Sequence, residues 1–152
     1  MAVTVGANFM SIVHAGSNGV TIAFPDICKT PVGPSVAPIP YPNIAKSGDS
    51  AKTAKKVLAD GEPICTKNSN FSTSSGDEPG TLKGLASSRN MGKAEFVNYS
   101  MDVMAEGKNV ARAFDLMLHN DKNTPPVPLL QGPVVTVPGL DKRVCCICDE
   151  EF

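Results

Sequence analysis

The sequence predicts a small all-β protein with internal repetition, and three observations carry that expectation. Gly and Pro number 13 each among 152 residues, about 17% of the chain against a usual ~12%, which favours turns over long helices. Asp60-Gly61 lies between short apolar stretches, and Gly accepts the positive φ that a tight hairpin turn demands. Residues 57–65 also line up with residues 103–111, where Glu106-Gly107 repeats that turn 46 positions later.

Taken in order, residues 9–13 and 20–24 read as two strands of a first hairpin around a Gly- and Asn-rich turn at 15–19. From Phe24 to Asn43 the chain holds six prolines. Proline fixes φ and lacks an N–H, so this stretch is read as stiff extended chain, neither helix nor central strand. Residues 51–58 read as at most a helical turn entering the second hairpin, 57–65. Residues 68–80 have loop composition, and in 81–88 Gly84 and paired serines weaken a second helical turn. Phe96, Tyr99, Met101 and Val103 alternate loosely, as a half-buried strand leading into the third hairpin. Residues 125–138 return to proline-rich chain, with Val134–Val137 as an edge strand. One domain is expected over residues 1–140, followed by a charged, cysteine-bearing tail over 141–152.

Charge and hydropathy narrow the function classes. A formal net charge of −1 leaves no basic footprint, so nucleic acid is not expected as a partner. No run approaches the ~18 apolar residues of a membrane span, and no basic flank precedes the apolar N-terminal stretch. Neither stable membrane anchoring nor a secretory signal is expected. Five cysteines at uneven spacing favour metal binding over a disulfide framework in a reducing compartment.

Two blocks, Phe24-Pro25-Asp26-Ile27-Cys28-Lys29-Thr30-Pro31 and Pro38-Ile39-Pro40-Tyr41-Pro42-Asn43, resemble the signature of PAAR-like domains. These cap the spikes of type VI secretion and related contractile injection systems. The pieces Ser75-Gly76-Asp77-Glu78-Pro79-Gly80, Glu106-Gly107-Lys108-Asn109-Val110 and Asp115-Leu116-Met117-Leu118-His119-Asn120 are similar to that family too, so the likeness runs from about His14 to Asn120. It implies a cone-shaped, pseudo-threefold arrangement of β-hairpins whose base sits on a trimeric, VgrG-type spike protein. It implies an apex braced by zinc, and an effector or adaptor as a further partner. The protein would stay cytoplasmic until loaded on the spike, then leave through the contractile apparatus without a signal peptide. Three similar hairpins in one chain would present three similar edges to a threefold partner.

For the metal, the resemblance points to His14, Cys28, Cys65 and His119, each near the end of an expected hairpin or its connector. Structural zinc takes four N or S ligands, though His/Cys ligation also suits iron or copper. The alternative keeps Cys28 and Cys65 as small buried apolar residues and both histidines as ordinary surface groups. Cys145 and Cys148 have chelate or redox spacing, with Cys146 between them, and form a second or alternative thiol site. They would complete the first site only by folding back on it.

No nucleophile elbow, HExxH or phosphate-cradling loop appears. The protein is therefore expected not to be an enzyme, with no room after the domain for a separate catalytic one. A metal-braced structural tip that caps the spike and assists envelope puncture and effector delivery is the expected function. The rivals are a cytoplasmic zinc-binding adaptor and a small Cys/His hydrolase.

Overall fold

A computed structural model of the chain describes residues 3–132. The edge strand at 134–137, the tail at 141–152 and the Cys145/Cys148 pair lie outside the described residues. Within them the protein is all β, apart from one 3₁₀ turn at Ser47–Asp49.

Three miniature hairpins share one geometry. They are β1 (Gly6–Ala7) with β2 (Met10–Ser11), β6 (Leu58–Ala59) with β7 (Glu62–Pro63), and β10 (Met104–Ala105) with β11 (Lys108–Asn109). Their turns start at Asn8, Asp60 and Glu106, whose φ angles of 51°, 51° and 52° lie in the left-handed region. The second and third hairpins stand where the sequence puts them. The first does not: its turn is Asn8-Phe9, and the strand starting at Val20 pairs elsewhere. Asn tolerates positive φ, but no Gly marks this turn, and it precedes the second by 52 positions rather than 46.

The chain leaving each hairpin joins the next in a closed cycle. Val13 N–H donates to the Ala111 carbonyl (3.2 Å), Ala111 N–H to Cys65 (3.0 Å), and Cys65 N–H to Val13 (2.8 Å). Isolated bridges His14–Ile64, Thr66–Val110 and Ile12–Arg112 close the same ring. Val13, Cys65 and Ala111 are fully buried where the repeats meet. A second apolar layer is built from equivalent positions too: Ala7, Ala59 and Ala105, with Ile12, Ile64 and Val110. Small side chains alternate with branched ones because three hairpins converge on little volume.

Polar clamps repeat with the ring. The Asp60 carboxylate accepts the Thr4 N–H at 3.0 Å and the Thr4 hydroxyl, which hold it below the usual carboxylate range. Glu106 accepts the N–H groups of Lys55 (2.7 Å) and Lys56 (3.1 Å), and Asn8 donates to Asp102 at 2.7 Å. Each turn residue thus grips the segment that leads into the preceding hairpin.

The proline-rich stretch is the longest hairpin of the protein. Strands β3 (Val20–Val32) and β4 (Ser35–Lys46) pair antiparallel along almost their whole length. The stiff extended chain expected here is found paired along its length, and the reason its prolines are tolerated is parity. Pro38, Pro40 and Pro42 are exposed and share parity with Ile44. Ile44 exchanges its N–H and carbonyl with Ser75 on the edge away from β3. The missing N–H groups of the prolines therefore all face that edge and cost the β3 ladder nothing.

The body is completed by a five-stranded antiparallel sheet. Its order is β13 (Val127–Pro128), β12 (Leu116–Leu118), β9 (Ala94–Phe96), β8 (Asn70–Phe71) and β5 (Ser50–Ala51). The strand expected over 96–104 ends at Phe96. Phe71, Phe96, Met117 and Leu129 pack with the ring residues and Ala45 into one core, where Phe71 and Phe96 meet edge to face at 5.7 Å.

Candidate functional site

The three sequence fragments 24–31, 75–80 and 115–120 converge at one buried polar cluster. Along β3 the inward residues are Thr21 and Ala23, then Asp26, Cys28 and Thr30. The change of phase comes from a bulge. Ala23 pairs with Asn43 and Asp26 with Tyr41, so Phe24 and Pro25 together oppose Pro42 alone. Without that extra residue Asp26 and Cys28 would face solvent.

Two glycines bring Asp77 onto this strand. A Cβ on Gly76, at φ +134°, would lie 2.0 Å from the Pro42 carbonyl oxygen, and one on Gly80 would lie 2.4 Å from the Cys28 Cβ. The 75–80 loop lies flat on the hairpin because neither position carries a side chain. The donor atoms of Asp26, Cys28 and Asp77 fall within 4.8 Å of one another, and all three residues are fully buried.

Amides supply the surroundings. Asn43 donates to Asp26 at 2.9 Å and Asn120 at 3.3 Å, and Asn123 also donates to it. Met91 N–H donates to both Asp77 oxygens, at 3.2 and 3.0 Å. The Cys28 thiol donates to Asp26 (3.6 Å) and Asp77 (3.8 Å). Burial, then the two carboxylates, push this thiol up to about 12. Burial also raises Asp77, opposed by the Met91 N–H and reinforced by Asp26. No basic side chain is among the hydrogen-bond partners of these three residues within the described structure. Two carboxylates and a thiol, buried without a cationic partner, form a donor set that suits a divalent cation. Two fully buried polar atoms beside it have no hydrogen-bond partner, Asn43 Oδ1 and His119 Nδ1.

The four ligands expected from the sequence do not meet in one such group among the described residues. Cys28 is in the cluster. His119 borders it: its Nε2 lies 3.1 Å from the Thr21 hydroxyl, and burial pushes its imidazole down to about 4 against a smaller upward pull from Asp26. His14 uses both ring nitrogens locally, with Gly16 N–H at 3.1 Å and the Asp60 carboxylate at 3.3 Å. Cys65 occupies the ring position that Val13 and Ala111 fill in the other repeats. Its thiol donates to Ser50 at 3.3 Å, and burial pushes it up to about 11. Asp77 and Asn120 are site residues beyond those expected from the sequence. The Gly-x-x-x-Gly frame of Gly76 and Gly80 around Asp77 was the available signal.

A family model described as the toxin PAAR-like domain matches residues 19–126. Over 151 aligned residues, 91% of this chain, the sequence is 41% identical to the DNase toxin Tse7 of Pseudomonas aeruginosa. The chain spans 39% of that toxin's length. No solved structure matches the chain. The DNase relative overturns the expectation that the protein is not an enzyme. It also removes the ground for excluding nucleic acid, since a net charge of −1 excludes nothing in a relative of a DNase toxin.

The depressed His119 value carries a sign. In the metal-free protein, below pH 6.5 the unfolded chain takes up a proton that the folded chain refuses until about pH 4. Stability therefore falls as pH drops through that window, by at most ~1.4 kcal/mol per pH unit. Urea unfolding at stepped pH is expected to show this slope in the native protein and a shallower one in His119→Gln. Equal slopes would mean that His119 titrates normally.

Proposed function

The chain belongs to the toxin PAAR-like domain family, and from that premise we propose that it seats a DNA-degrading effector on the tip of a contractile-system spike. The observation that carries this reading is the pseudo-threefold hairpin ring. A single chain with three equivalent edges matches the end of a trimeric spike protein without requiring three copies of itself. The docking surface is the hairpin face, where Val5, Phe9, Val57, Leu58 and Met104 are exposed, Phe9 at 66%. An apolar patch of this kind on a small protein marks an interface. Capping of the spike, envelope puncture and export without a signal peptide belong to the same reading. Among the described residues no helix is long and apolar enough to cross a membrane. The DNase activity named for the relative is assigned to the effector as a whole.

In this reading Asp26, Cys28 and Asp77 hold a divalent cation, zinc being the expected one, and the bound ion supplies a cross-link. The three residues tie β3 to the 75–80 loop, which compensates for the absence of an apolar core there.

The docking reading is tested by mixing the purified chain with the trimeric spike protein of its own system and weighing the complex. One chain per trimer is expected. Leu58→Glu with Met104→Glu is expected to weaken binding at least ~10-fold, while Ile22→Glu on the β3 strand leaves it unchanged. No complex, or three chains per trimer, would overturn the docking role.

Elemental analysis tests the ion separately. About one zinc per chain is expected, falling to near zero in Cys28→Ala with Asp77→Asn and unchanged in Cys65→Ala. Zinc retained by the double variant would remove the cluster as its site.

A further inference from the structure

The threefold pattern is broken electrostatically on one flank. An open groove of about 740 Å³ runs beside the second and third repeats, and Lys52, Lys55, Lys67, Lys93 and Lys108 line it. Lys93 is committed to Glu95 and Asp121. Lys52, Lys55, Lys67 and Lys108 are exposed and have no carboxylate within ion-pair distance among the described residues. Four uncompensated cations therefore gather on one flank of a chain whose net charge is −1.

The repeat relation shows that this is a local addition and no by-product of the fold. Lys55, Lys67 and Lys108 lie on the flank joining the second and third repeats, where Lys67 N–H donates to the Asn109 carbonyl at 2.8 Å. The equivalent positions between the first and second repeats are Val3, Ala15 and Glu62. Between the third and first they are Met101, Ala113 and Met10. One flank is basic and the other two are not, so a partner can tell the three sides apart.

We propose that this groove binds an acidic peptide segment of a partner protein. The proposal stands apart from the docking face and asks nothing of it. Lysine offers a compact charge with rotatable donors, suited to carboxylates along an irregular chain. The polar wall of Thr53, Asn68 and Asn70 adds hydrogen-bonding groups, and the volume lies within the ordinary range for ligand sites. Single-stranded nucleic acid fits less well, because its sequence-tolerant binding needs aromatic faces on which bases stack. The rings in the lining belong to Phe96, which is buried, and Tyr99, whose face is covered by Lys67 Nζ at 5.3 Å from the centroid. Only a short segment would see a mainly basic surface, with Glu95 the one acidic residue in the lining, since 15 Asp and Glu residues occupy the chain as a whole. A partner held here would take one rotational position about the pseudo-threefold axis of the ring, one copy per chain.

The test uses the whole chain and a fluorescein-labelled hexaglutamate peptide, read by anisotropy at about 50 mM salt, where screening is weak. Saturable binding that weakens as salt rises is expected, with hexaglutamine silent. Lys52→Glu, Lys67→Glu and Lys108→Glu together are expected to weaken binding at least ~10-fold with the melting temperature kept. The neutral Lys→Gln set would give a smaller loss, and Lys29→Glu with Lys83→Glu, away from the groove, none. Binding indifferent to the groove lysines would overturn the proposal, as would no binding at all. Tighter, lysine-dependent binding of a six-nucleotide oligothymidylate would reassign the groove to nucleic acid and overturn it equally.

Discussion

The structure depends on a three-membered ring of backbone hydrogen bonds through Val13, Cys65 and Ala111. Each residue donates to one repeat and accepts from the other, so no hairpin can leave without orphaning a buried N–H and a buried carbonyl, each costly to leave unpaired. Two-residue strands have almost no stability of their own. They persist here because the ring, the Ala/Ile layer beneath the hairpins and the side-chain clamps at Asp60, Glu106 and Asn8 act together. Closure also dictates symmetry, since three strands that each lean on the next can close only about an axis.

That constraint explains why chemistry is concentrated away from the ring. At the ring and in the layer beneath the hairpins the side chains are small or branched, and the N–H and carbonyl of Val13, Cys65 and Ala111 are all used. The long hairpin of β3 and β4 packs on the ring core through Ala45 and extends beyond it, and there a bulge and two glycines create room for polar groups. Asp26 and Cys28 are held by amide side chains and the Asp77 carboxylate by the Met91 N–H, rather than by apolar packing. The same division separates the roles: the repeats form a threefold face, the hairpin carries the buried donor set, and a single flank carries the lysines.

Much of the fold was legible in the residues. Asp60-Gly61 and Glu106-Gly107 announce two of the three hairpins through the φ requirement of their turns. The first repeat was hidden because Asn8-Phe9 lacks glycine and its spacing differs from the other interval. The prolines gave the stiff extended backbone but not its pairing, since parity becomes visible only once Ile44 is seen to bond Ser75 on the free edge. At the site, Cys28 was legible through its Phe-Pro-Asp context, whereas Asp77 stood in a family-like piece, 75–80, with nothing in the sequence to show that it meets Asp26 and Cys28. Cys65 illustrates how a repeat can inform chemistry. Its counterparts are valine and alanine, so its position demands a small buried side chain first and a thiol second.

The central claim is that the ring is one cooperative unit, and native-state hydrogen exchange of three amides tests it most directly. The N–H groups of Val13, Cys65 and Ala111 are expected to be among the slowest in the protein. They should share one opening free energy, equal to that of global unfolding. Exchange of any one of them by a separate, low-energy opening, with the other two still protected, would contradict it.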